Sequence, residues 1–221
     1  MKTHIIFDLD GTLTDSQEGI TNCVRYALES FGIHETDYSR LCLFIGPPLD
    51  ASFKEFYGFS DEDAQKAVKK YRERFETVGL FENRPYDGIV DMLRLLKDSG
   101  RVLCVATSKP EKFSRRILDH FGMTPYLDCI LGNSMHLQVE KSDMIKKIVD
   151  LYGISKEQAV MVGDRRFDVE AAHKAGVDCI GVSYGFAPEG ELEKAGADHI
   201  VDTVPRLTEQ LLRQYVMAPH L

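Results

Sequence analysis

The chain has 221 residues, 43% of them hydrophobic, which is enough for a sizeable core and allows one large or two small domains. Its formal net charge of −8 argues against nucleic-acid backbone or an anionic membrane as a partner, and any anionic substrate needs a local positive site. Five scattered cysteines (Cys23, Cys42, Cys104, Cys129 and Cys179) form no CxxC pair and are read as reduced core thiols.

The first apolar run, "HIIFD" at 4–8, reads as a buried strand, and three aspartates crowd residues 7–16, "FDLDGTLTDS". Asp8 and Asp10 interrupt the run too early for a signal peptide, and no apolar stretch approaches a membrane span, so the chain is read as cytoplasmic. A period-two backbone turns Asp8 and Asp10 to one side. Paired hard oxygen donors suit Mg²⁺, whereas a solvated acidic turn would explain a lone DxD. An EF-hand does not fit, because Thr12, Leu13 and Gly19 stand where that loop needs an acid or amide, a glycine and a glutamate.

About ninety residues then pass without a comparable strand. They carry two amphipathic helices: Ile20, Cys23, Val24, Ala27, Leu28 and Phe31 form one stripe, ending at Gly32. Ala64, Ala67, Val68, Tyr71 and Phe75 form the second, opened by the capping sequence "SDED" at Ser60. Residues 16–85 are read as a small helical domain inserted between 1–15 and 86–221, the alternative being one continuous domain with extra helices. Phe44, Phe53 and Tyr57 are read as its core rather than as a base-stacking surface.

Beyond it, strands and helices alternate. "RVLCVATS" (101–108), "DCILGN" (128–133), "AVMVGD" (159–164) and "DCIGVSYG" (178–185) read as strands. Helical patterns around Ile89, Met92, Leu93 and Leu96, and in "EKFSRRILDHFG", "KSDMIKKIVDLYG" and "DVEAAHKAG", stop at Gly100, Gly122, Gly153 and Gly176. The pattern predicts an α/β fold with a parallel sheet covered on both faces.

Ligands of such sheets bind beyond the carboxyl ends of the strands. Those ends deliver Asp8 and Asp10, then Thr107, Ser108 and Lys109, then Lys141 before a helix, then Asp164 and Asp168. Each has an ordinary alternative. Thr107 suits a turn, Lys141 a solvated face, Asp168 a first helical turn, and Arg165 and Arg166 pairing with nearby acids. Their convergence on one rim outweighs any single motif.

In this order, "DLDGTLTDS", "VATS", Lys141 and "GDRRFD" resemble the four motifs of the haloacid dehalogenase superfamily, and the resemblance runs along essentially the whole chain. It implies a Rossmann-like core with an inserted helical cap of the C1 type. Within the superfamily the chain resembles phosphoglycolate-phosphatase-like hydrolases, and "FIGPPLDASF" and the form of "GDRRFD" are similar to a bacterial branch of 5′-nucleotidases. The resemblance implies a Mg²⁺-dependent phosphatase acting on a small phosphorylated metabolite, a nucleoside monophosphate slightly ahead of phosphoglycolate. Asp8 would be the nucleophile, Asp10 the acid and base, and Thr107, Ser108 and Lys141 would bind phosphate. Asp8, Asp10 (through its backbone carbonyl), Asp164 and Asp168 would surround the metal. The loop "NSMHLQVE" departs from close relatives in lacking Gly and Arg, and Lys109 is the other cation near the site, the substitute for Lys141. A phosphomutase is disfavoured because "SQEGITNCVRYAL" holds no histidine, a dehalogenase because Asp10 is present, and a non-catalytic metal-binding domain because Asp8, Asp10 and Lys141 are all retained. No oligomeric signal is visible, and a monomer is the default.

Overall fold

A computed structural model describes residues 2–134 and 139–213. Part of the departing loop, residues 135–138, lies outside the described residues. The chain divides into two compact units, one built from the start of the chain to Leu13 and from Pro85 onward, the other Thr14–Arg84.

The first strand, β1 (His4–Phe7), is fully buried. After it, Thr14–Asp15 (β2) opens the second unit, which holds α1 (Gln17–Glu29), α2 (Tyr38–Cys42), α3 (Leu49–Tyr57) and α4 (Asp61–Arg74), the last extended by a π-turn at Phe75–Gly79. Ser60 caps α4 by accepting a hydrogen bond from the Asp63 N–H at 3.1 Å. The two helices expected from periodicity are α1 and α4; α2 and α3 are additional. Phe44 and Phe53 are sealed and meet edge to face at 4.8 Å between centroids, and Phe53 stacks on Phe59 at 5.7 Å. These rings belong to the core of the unit, and Tyr57 donates its hydroxyl proton to Glu35 at 2.8 Å. Arg84–Pro85 (β3) pairs with β2 in a two-stranded sheet.

The remaining elements are α5 (Ile89–Asp98), β4 (Val102–Pro110), α6 (Glu111–His120), β5 (Cys129–Asn133), α7 (Lys141–Tyr152), β6 (Ala159–Gly163), α8 (Arg166–Ala175), β7 (Asp178–Val182), α9 (Glu191–Ala195), β8 (His199–Val201) and α10 (Val204–Arg213). Six strands form one parallel sheet in the order β5-β4-β1-β6-β7-β8. The sixth, β8, was not expected, being three residues long with two of them exposed. One face of the sheet presents Ile6, Cys104, Ala106, Met161 and Cys179 to Ile145, Ile148, Val169 and Ala172 of α7 and α8. The alternate residues Ile5, Phe7, Leu103, Val105 and Val162 are equally buried, and α5 and α6 pack on β4. Burial on both faces explains why these strands read as unbroken apolar runs. Chain order reverses at β1, which lies between β4 and β6, so a crevice is expected beyond Phe7.

Candidate active site

Beyond Phe7 the backbone turns at Gly11, whose φ of +81° is costly for any residue with a side chain. Space requires glycine there as well, since a Cβ on Gly11 would lie 2.1 Å from Asp164 Oδ2. Gly185, beyond β7, closes the other side: its Cβ would lie 2.4 Å from Asp164 Cβ and 2.4 Å from the Gly11 carbonyl oxygen. Tyr184 donates its hydroxyl proton to the Thr12 carbonyl at 3.0 Å, and the Phe186 N–H donates to Asp164 Oδ2 at 2.8 Å. The loop after β7 therefore ties the Asp8–Thr12 turn to Asp164.

Asp8, Asp164 and Asp168 are buried, and each offers a carboxylate oxygen within 4.8 Å of the others. Lys141, the first residue of α7, reaches into this group. Its Nζ lies 3.0 Å from Asp8 Oδ2 and 2.5 Å from Asp168 Oδ1, with the lysine side chain 7% exposed. Asp168 Oδ2 accepts from the Arg165 N–H at 3.0 Å, so both its oxygens are engaged. Burial pushes the Asp8 carboxyl up to about 6, with Lys141 opposing and Asp168 and Asp10 adding to the rise. Burial, then the charges of Asp168 and Asp8, push Asp164 well above the usual carboxylate range. Burial alone would lower the Lys141 ammonium, but Asp168 and Asp8 outweigh it and hold the group above its ordinary value.

A cation is the natural complement of this arrangement. Asp8 Oδ1, Asp10 Oδ1 and Asp164 Oδ1 are buried and meet no hydrogen-bond partner. Orphaned carboxylate oxygens are expensive, and those of Asp8 and Asp164, two members of the close triad, are hard donors of the kind Mg²⁺ prefers. The Asp10 carboxylate lies outside the close triad and pairs with Lys109 Nζ at 2.9 Å, as suits a residue expected to meet a metal through its backbone carbonyl.

The second strand end contributes Thr107, 2% exposed, whose Oγ1 accepts from the Lys109 N–H at 3.3 Å. The Ser108 side chain is exposed, and its carbonyl accepts from Asn133 Nδ2 at 2.9 Å. Asn133 ends β5 and also accepts from the Val139 N–H at 2.7 Å, fastening the two sides of the loop before α7. Arg165 and Arg166 also engage Glu191: Arg165 Nε lies 2.8 Å from Glu191 Oε1, and the Arg166 N–H donates to the same oxygen at 2.9 Å. Every expected site residue thus lies at the carboxyl edge of the sheet. Sequence reading missed the Lys109–Asp10 pair, Asn133 and the Tyr184–Phe186 clamp. The only advance signals were the spare cation after "VATS" and the polar residue closing "DCILGN".

The carboxyl edge of this α/β core thus carries clustered aspartates around a buried lysine. The model of the haloacid dehalogenase-like hydrolases matches residues 5–182. A 5′-nucleotidase of Pseudomonas aeruginosa is 44% identical over 209 residues, 94% of this chain and 95% of its own. The tyrosine-protein kinase PtkA of Mycobacterium tuberculosis is 34% identical over 210 residues, 94% of this chain and 72% of its own. The crystal structure of a predicted phosphatase from Clostridium acetobutylicum superposes with a TM-score of 0.91 at 46% identity, covering 96% of this chain and 99% of that one. The chain belongs to the haloacid dehalogenase-like hydrolase family and is an enzyme of its phosphatase type. Among the described residues, no helix is long and apolar enough to cross a membrane.

Proposed function

We propose that the protein is a Mg²⁺-dependent phosphomonoesterase that works through an aspartyl-phosphate on Asp8. Its substrate is a small phosphorylated metabolite, a nucleoside monophosphate ahead of phosphoglycolate. The observation that carries the reading is Lys141, buried between Asp8 and Asp168 beside three carboxylate oxygens that lack partners.

Asp8 attacks phosphorus, forming the Asp8 O–P bond as the ester P–O bond breaks. The phosphate dianion and the attacking carboxylate repel each other. Lys141 offsets that repulsion from the protein side and neutralises charge on the transferring oxygens. Asp8 and Asp164 would hold Mg²⁺ with the Asp10 backbone carbonyl, and bound there the ion supplies a second positive charge for the phosphoryl oxygens. Asp168, with both oxygens engaged, holds Lys141 in place rather than facing the substrate. Asp10 gives a proton to the leaving alkoxide and then takes one from the water that cleaves the intermediate, which requires its pairing with Lys109 to open. Thr107 accepts from the Lys109 N–H and keeps its own proton to donate to a phosphoryl oxygen. Residues Thr14–Arg84 act as the cap that selects the leaving group. The nucleotide preference rests on the activity named for the P. aeruginosa relative.

The test is phosphate release with Mg²⁺ from nucleoside monophosphates, phosphoglycolate and sugar phosphates, run beside Asp8→Asn. Turnover of a nucleoside monophosphate by the native protein alone is expected. Preference for phosphoglycolate would overturn the substrate choice and keep the chemistry. Transfer from ATP to protein tyrosine, with no phosphate released from any member of the panel, would favour the activity named for the mycobacterial relative.

A further inference from the structure

Cys104 lies in β4, Cys129 opens β5, and the parallel register sets them directly beside each other. Cys104 belongs to the buried cluster and Cys129 packs against it, so their side chains leave the sheet on one face. Neighbouring strands run about 4.8 Å apart, inside the Cα separation of roughly 4.4–6.8 Å that a disulfide spans. The two thiols influence one another across the strand pair, and the Tyr152 hydroxyl of α7 acts on Cys104. Both cysteines are free thiols.

The two sulfurs differ in exposure. Cys104 is sealed at 0% exposure, whereas Cys129 is partly exposed on β5, the edge strand of the sheet. We propose that Cys104 and Cys129 form a reversible dithiol–disulfide site, with Cys129 the thiol oxidised first by hydroperoxides and Cys104 the resolving thiol. Cys104 is the largest influence on Cys129 and lowers its thiol to about 7 against burial. Arg115 and Lys147 assist, and Glu111 opposes. A lowered, partly exposed thiol is the kind that reacts.

The Cys129 thiolate attacks one peroxide oxygen, the O–O bond breaks, and the hydroxide released takes up a proton to leave as water. Cys129 is then a sulfenic acid. The Cys104 sulfur attacks the Cys129 sulfur, the S–O bond breaks, and the departing hydroxide leaves as water with the Cys104 proton. Two thiols lose two electrons and two protons, and one hydrogen peroxide becomes two waters.

The experiment treats the folded protein with a small excess of hydrogen peroxide, blocks remaining thiols under denaturing conditions, and maps the peptides by mass spectrometry. The expected product is a Cys104–Cys129 cross-linked peptide, about 2 Da below the sum of the two reduced peptides, lost on treatment with dithiothreitol. Cys129→Ser, a change at a partly exposed edge position, is expected to leave Cys104 reduced. Cys104→Ser is expected to let Cys129 run on to sulfinic acid. A native protein in which Cys129 over-oxidises while Cys104 stays reduced would overturn the proposal. So would a disulfide formed instead with Cys23, Cys42 or Cys179.

Discussion

The ammonium of Lys141 lies 3.0 Å from the Asp8 carboxylate, with the two side chains only 7% and 10% exposed. The lysine therefore sits between two buried acids as their shared counter-charge, and it reaches the site from α7 while Asp8 arrives from β1. Removing it as Lys141→Ala is expected to lower kcat by about 10²–10³-fold. It also leaves Asp8 and Asp168 buried without a cation, a loss of roughly 3–5 kcal/mol for a broken buried pair. Steady-state kinetics and urea unfolding check the two effects separately. A stable protein of unchanged stability would contradict the electrostatic part.

Asp164→Asn separates metal binding from folding. The amide oxygen can still accept from the Phe186 N–H, but the charge facing Asp8 and Asp168 is gone. Without metal, the variant is expected to melt at a higher temperature than the native protein, because a repelled, desolvated carboxylate has been neutralised. With Mg²⁺ the order is expected to reverse, since the variant loses a ligand. Thermal melts in EDTA and in Mg²⁺ test both halves.

Gly11→Ala combines two penalties. A positive φ costs an L-residue about 1–2 kcal/mol, and the new methyl would sit 2.1 Å from Asp164 Oδ2. The carboxylate must move, so Mg²⁺-dependent activity is expected to fall along with stability. Retention of native activity would show that the turn tolerates a shift this structure does not suggest.

In the Thr14–Arg84 unit, Phe53 is sealed among Phe44 and Phe59. Phe53→Ala is expected to cost about 3–5 kcal/mol. Hydrogen exchange should show the loss in amides of α3 and α4, while β1 and β6 keep their protection.

The pH dependence of Cys129 alkylation follows from its lowered thiol. The thiolate forms as pH rises, so the iodoacetamide rate should climb through a midpoint near 7. Cys104→Ala removes the neighbouring thiol that is the main cause and should move the midpoint up towards the ordinary thiol range. Arg115, Lys147 and Glu111 still face Cys129 in that variant and contribute equally to both measurements.

The carboxylates were legible in the sequence because each follows a strand buried on both faces, and such strands announce themselves as apolar runs of four or five residues. Lys141 was legible as the residue opening a periodic helix. The Lys109–Asp10 pair was not, because Lys109 stands two residues past Thr107 in a strand that continues to Pro110, beyond the apparent end of its apolar run. Nor was the thiol pair: Cys104 and Cys129 are brought together by register across twenty-five residues of sequence, which no local pattern encodes. In the helical unit, α2 and α3 are too short and too mixed in composition to show a clear period. Phe53 and Tyr57 of α3, with Phe44 between the two helices, nevertheless marked a core. The exposed β8 carries no alternation to read.

In the proposed reaction Asp8 carries the phosphoryl group. The most direct test is to mix the protein with Mg²⁺ and a turned-over phosphomonoester, quench in acid, reduce with borohydride and map the peptides. An aspartyl-phosphate at position 8 is reduced to homoserine, so homoserine is predicted there, and nowhere else, in the native protein treated with substrate. Phosphate release at full rate with an unmodified Asp8, or with undiminished turnover by Asp8→Asn, would contradict the account.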